Sequence, residues 1–186
     1  MDAFTYLSVL LSIIIGLAIA QVLQGYRAIL LARKNVRLSA SVLIWSGLLL
    51  LFAAQAWWAS FDLRQRHTWD FMSFAVILLQ MVMLYMLAAV VFPDVAPGST
   101  VDLVEHSEKH RRIFFGFLLG MLAVSMTKDI ILDHRLASPT NLAFHLLFAA
   151  LSVAGFLMKS MRAQLLLAVA AVVVFLAYIA VLFSAL

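Results

Sequence analysis

Long apolar runs separated by short polar ones account for almost the whole chain. Six stand out, at about Ala3 to Leu23, Ser41 to Phe61, Phe71 to Phe92, Ile113 to Leu132, Thr140 to Met158 and Ala163 to Leu186. Each is close to the ~20 residues that a helix needs to cross ~30 Å of hydrocarbon. Lipid offers no partner to a free peptide group, so a spanning segment satisfies its backbone internally, and the alternation of a barrel strand is absent here. The pattern predicts an all-α membrane protein, a bundle of six transmembrane helices. Polar punctuation supports the boundaries: Asp70 precedes the third run and Pro93 stops it. The first helix is expected to run on as far as Lys34. Ser99, with Asp102 three residues on, has the spacing of a helix N-cap. Val101 to Arg112 then reads as a short amphipathic surface helix, or as the entry to the fourth span.

Composition narrows the class further. Of 186 residues, 66% are hydrophobic and 12% charged. A soluble domain has about a quarter of its residues charged, so too few polar side chains are present to coat a water-facing core. The first run follows Met1 and Asp2 without a basic leader and is long enough to span, so it reads as a span and not as a cleaved signal. There is no cysteine, which excludes disulfides and any cysteine-ligated cofactor. The net charge of +4 is spread through the loops, without the concentrated basic face that nucleic acid requires.

The charges instead flank the spans, where Lys and Arg set orientation. Arg27, Arg33, Lys34 and Arg37 lie around loop 1, Lys109, Arg111 and Arg112 in loop 3, and Lys159 and Arg162 around loop 5. The even loops hold only Arg64, Arg66, Lys128 and Arg135. Loops 1, 3 and 5 are therefore expected in the cytoplasm, with both termini outside. The linker at Pro93 to Gly98 divides a first three-helix half (1–92) from a connecting segment (93–112) and a second half (113–186). The halves carry faintly similar segments, "GLAIAQVLQGYR" and "GMLAVSMTKDII", and a late tyrosine each, Tyr85 and Tyr178. Inverted three-helix repeats of this kind occur in transporters, and shared apolar composition produces the same likeness.

Three segments together carry a resemblance: "IGLAIAQVLQGYRAILLARKNVRL", "AAQAWWASFDLRQRHTWDF" and "VFPDVAPGSTVDLVEHSEKHRRIFFGFL". The small-residue first helix with a basic end, the double tryptophan of the second and the basic-aromatic entry to the fourth resemble a family of small bacterial six-span inner-membrane proteins without an assigned activity. The likeness covers roughly residues 10 to 120. It implies the bacterial inner membrane and supplies no functional residues.

Candidate chemistry falls in a few places. Asp102, Glu105, His106 and His110 share one helical face, and two imidazoles with a carboxylate suit zinc or a similar ion; the same residues also suit a solvated surface helix. Lys128 and Asp129 sit about one turn inside the fourth span, where ionisable groups are functional candidates by default, with Asp133 and Arg135 beyond as pairing partners. Gln21, Gln24, Gln55, Gln80, Tyr85, His145 and Tyr178 are further polar groups in the spans, read either as interhelical glue or as the lining of a polar path. His145 is the only histidine well within a span. A haem b site commonly takes two such ligands, which argues against haem. Trp45, Trp57, Trp58 and Trp69 are placed as interfacial anchors. Gly116 with Gly120, and Gly16 with Ala20, are expected to let helices approach, within the chain or in a homo-oligomer. No nucleophile motif, P-loop or dinucleotide fingerprint occurs, and nothing in the sequence marks an enzyme.

The leading expectation is binding or passage of a small solute, ion or lipid between the two halves. Gln21, Gln24, Gln55, Gln80, Tyr85, Lys128, Asp129, His145 and Tyr178 are its binding residues. The alternatives are a non-catalytic accessory or scaffold subunit of a larger membrane complex, and a metal-dependent sensor or enzyme using the Asp102–His110 face.

Overall fold

The computed structural model describes residues 3–66, 68–95, 100–134 and 138–182. Six helices, all long and apolar enough to cross a membrane, make up the fold: α1 (Ala3–Leu31), α2 (Ala40–Ala59), α3 (Phe71–Val91), α4 (Leu103–Asp133), α5 (Pro139–Leu157) and α6 (Met161–Leu182). α3, α4 and α5 each start where a side chain accepts from the first amides of the helix. The Asp70 carboxylate accepts the Ser73 N–H at 2.6 Å at the head of α3. Ser138 caps α5 ahead of Pro139, whose ring fits the first helical turn. α4 ends at His134, which takes the left-handed conformation (φ 50°) of a helix C-cap.

Two boundaries depart from the sequence reading. The α1 helix stops at Leu31, and Arg33–Asn35 continues as a 3-10 turn. The amphipathic segment takes the second of its two expected forms, the entry to the fourth span, and makes up the first three turns of α4. The cap of α4 is Asp102, whose Oδ1 accepts from the amides of Val104 at 2.8 Å and Glu105 at 3.1 Å. The expected cap, Ser99, lies outside the described residues.

Two-residue strands β1 (Val36–Arg37) and β2 (Val101–Asp102) pair in parallel, Val36 against Val101 and Arg37 against Asp102. A 3.0 Å ion pair between Arg37 and Asp102 closes this tie. Loops 1 and 3 therefore meet at one end of the bundle. Loop 5 joins them there, because Arg111 of α4 donates to the carbonyls of Phe156 at 3.0 Å and Met158 at 2.6 Å, the C-terminal turn of α5. Gln164 of α6 donates to Gly155 and Met158 carbonyls as well. A guanidinium here meets carbonyls that the helix leaves unpaired.

α3 packs most extensively, on α4 and α1, and α5 links α4 to α6. α2 runs against α1, α3 and α6. The halves pack differently inside themselves: α1 lies mainly on α3, whereas α4 lies mainly on α5. The core is built from Leu11, Ile15, Ala18 and Val22 of α1, Leu48, Leu49 and Phe52 of α2, Leu84 and Leu87 of α3, and Phe115 and Leu118 of α4. Trp45 belongs to this core and is no interfacial anchor. It is 5% exposed and meets Phe114 and Phe115 edge-on, with ring centroids 5.4 and 5.5 Å apart. Trp57 and Trp58 stay half exposed near the end of α2.

Within the chain, the close helix approaches lie at other glycines. Gly16 and Gly116 face open space, and Gly120 has only Met83 near it, at 3.7 Å. A Cβ on Gly25 would meet the Phe92 ring at 2.2 Å, and one on Gly155 would meet the Phe115 ring at 2.3 Å.

Candidate functional site

At the end of the bundle opposite the strand pair, a cavity of about 470 Å³ opens among α2, α3, α4, α5 and α6. Its lining comes from both halves of the chain. Gln55 and the turn after α2, with Asp62 and Arg66, form one side, and Gln80 of α3 another. Ser125, Lys128 and Asp129 of α4, Asn141 and His145 of α5 and Tyr178 of α6 complete it. The four charges, two of each sign, sum to zero. Beneath lies a smaller apolar lobe of about 80 Å³, walled by Phe52, Met81, Leu84, Leu122, Phe144, Phe148 and Phe175. Phe52 and Phe175 meet edge-on at 4.7 Å between centroids, and Phe144 meets Tyr178 at 5.5 Å. Gln55, Gln80, Ser125, His145 and Tyr178 border both spaces, so they form the polar–apolar boundary.

A hydrogen-bonded chain runs along one wall. Asn141 Nδ2 donates to Asp129 Oδ2 at 3.4 Å. The Asn141 backbone carbonyl, four residues before His145, bonds its Nδ1 at 2.9 Å. His145 Nε2 bonds the Ser125 hydroxyl at 3.0 Å. A carbonyl only accepts, so Nδ1 carries the proton; in the neutral ring Nε2 then accepts from Ser125 Oγ–H. His145 is buried, at 8% exposure. Two side-chain acceptors at the site, Gln80 Oε1 and Asn141 Oδ1, are buried without a partner. Arg66 donates across the mouth to the Leu132 carbonyl, one residue before the end of α4.

Six of the nine binding residues expected from sequence line this one cavity: Gln55, Gln80, Lys128, Asp129, His145 and Tyr178. Gln21 and Gln24 do not join them. They border a separate groove of about 180 Å³ between α1 and α3, beside Pro93 and Asp94. Tyr85 packs partly buried against the core and does not line the cavity. The side chain of Asp133, and all of Arg135, fall outside the described residues.

The face of Asp102, Glu105, His106 and His110 is not gathered into a donor set. Asp102 is taken up by the cap of α4 and by Arg37. His106 Nε2 bonds the Val90 carbonyl at 2.9 Å, and His110 Nδ1 bonds the His106 carbonyl at 3.0 Å. Among the described residues, no three His, Cys, Asp or Glu side chains come together as metal ligands.

The binding residues expected from sequence include neither Ser125 nor Asn141, although Asn141 is one of the polar groups of the spans. A serine in a span ordinarily returns its hydroxyl to its own helix, as Ser12, Ser46, Ser60, Ser107 and Ser152 do here. Nothing marks in advance the serine that bonds elsewhere. The separation of Ser125 from His145 is 20 residues, set by the α4–α5 turn and not by any local motif.

Compared with protein-family models, curated proteins and solved structures, the chain matches none.

Proposed function

We propose that this chain binds a small amphiphile in the cavity between its two halves. The observation that carries the reading is the pairing of a polar, charge-balanced mouth with a phenylalanine-walled lobe directly beneath it. A molecule with a polar head and an apolar body matches both compartments, and such ligand sites are concave, mostly apolar and fitted with a few convergent polar groups. Binding fits better than passage. Towards the strand-pair end Trp45, Phe115 and Leu118, all buried, belong to the packed core. The resemblance to bacterial six-span proteins and the excess of Lys and Arg in the odd loops support an inner-membrane location with the cavity facing away from the cytoplasm.

The test is native mass spectrometry of the protein extracted gently from its own membrane. The expected result is one mass increment of lipid or small-amphiphile size, which Phe148→Trp, filling the lobe, removes. A bare chain overturns the reading. A stoichiometric partner protein in place of the small molecule favours an accessory or scaffold role.

A further inference from the structure

Ser125 and His145 are joined more specifically than packing requires. The default sink for a hydroxyl proton in a helix is the carbonyl three or four residues back. Ser125 departs from that pattern and meets an imidazole nitrogen at 3.0 Å. The opposite nitrogen of that ring is held at 2.9 Å by the Asn141 carbonyl, which fixes the tautomer with Nε2 free to accept. Hydroxyl, base and orienting group thus stand in the order that activates a nucleophile. A histidine oriented by a carbonyl retains this logic; no carboxylate is needed to select the tautomer.

Position adds a second argument. Ser125 and His145 border both the polar mouth and the apolar lobe. In an amphiphile whose head and tail are joined by an ester, the ester lies at that boundary. Gln55 and Gln80 bring side-chain amides to the same boundary, donors of the kind that stabilise a developing oxyanion.

We infer that Ser125 and His145 form a nucleophile–base pair for acyl transfer from an ester amphiphile held in the cavity. The inference rests on the amphiphile-binding reading. Ser125 Oγ attacks the ester carbonyl carbon, forming the Oγ–C bond while its proton passes to His145 Nε2. The bond from carbonyl carbon to leaving oxygen breaks, and that alkoxide takes the proton back from Nε2. Water, activated in turn by Nε2, hydrolyses the acyl-serine, releases the carboxylic acid and restores the hydroxyl.

An alkyl fluorophosphonate tests this on the full chain in lipid nanodiscs. Its phosphorus bonds to Oγ, fluoride departs and His145 receives the proton. Intact mass and peptide mapping should place one adduct on Ser125, absent in Ser125→Ala and formed at least tenfold more slowly in His145→Gln. His145→Asn serves as the second variant if His145→Gln fails to fold, judged by its thermal transition. No adduct on the wild type, an adduct elsewhere, or a Ser125 adduct formed equally fast without His145 overturns the inference. If the unlabelled protein still carries a bound amphiphile, the catalytic inference alone has failed; if it carries none, the binding reading has failed as well.

Discussion

Single residues decide how tightly these helices sit. Gly155 lies under the Phe115 ring, and Phe115 is buried at 2% exposure. Gly155→Val is expected to cost about 1–3 kcal/mol, the usual penalty for overpacking, read as a lowered midpoint of unfolding in detergent. Gly116→Val, with open space around it, should leave that midpoint unchanged. Arg111 holds carbonyls at the end of α5. Replacing it with Met should loosen this turn by about 1.5–3 kcal/mol, the range for hydrogen bonds to a charged group, seen as faster amide exchange over residues 155–160. At this scale part of the site was legible in the sequence. Gln55, Gln80, Lys128, Asp129 and His145 stand out because a polar side chain in an apolar span is costly and calls for a polar partner, whether a neighbouring helix or a ligand. Ser125 was not legible, since a serine hydroxyl is satisfied by its own backbone almost anywhere in a helix.

Elements were read well in number and less well in their ends. α1 has 29 residues and α4 has 31, some 45 Å each and well beyond the ~30 Å of hydrocarbon. Their surplus turns lie at the same end, where β1 and β2 then tie loop 1 to loop 3. A two-residue strand leaves no periodic trace in a sequence, so this tie was invisible. Its pH dependence follows from Asp102. The Glu105 amide N–H holds that carboxyl below the usual carboxylate range, with Arg37 and the Val104 amide lowering it further. A carboxyl depressed in the folded protein stabilises at any pH above its unfolded value and ceases to do so as pH falls through the lower folded one. Protection of the Val104 and Glu105 amides, corrected for intrinsic exchange, should therefore hold at neutral pH and fall only in acid. In Asp102→Asn that acid dependence should disappear.

Across the whole molecule, the odd loops share one end and the cavity opens at the other. The lack of cysteine makes orientation directly testable. With single cysteines at Lys34→Cys and Arg64→Cys, a membrane-impermeant maleimide on intact cells should label the second and reach the first only after lysis. The reverse would turn the cavity towards the cytoplasm. The chain by itself determined the membrane as solvent, six helices and the polar residues available to a site, because run length and the cost of polar groups in lipid are properties of each segment alone. It did not determine which faces meet. In water, burial selects the apolar face, but here the surroundings are as apolar as the core. Within α2, Leu48 is 1% exposed and Leu51 is 42% exposed, with identical side chains. Hydrophobic pattern carries no information about that choice. Shape made it, through Gly25 against Phe92, Gly155 against Phe115 and Trp45 between Phe114 and Phe115. Only that packing brought α4 and α5 together so that Ser125 meets His145, and left a space above them.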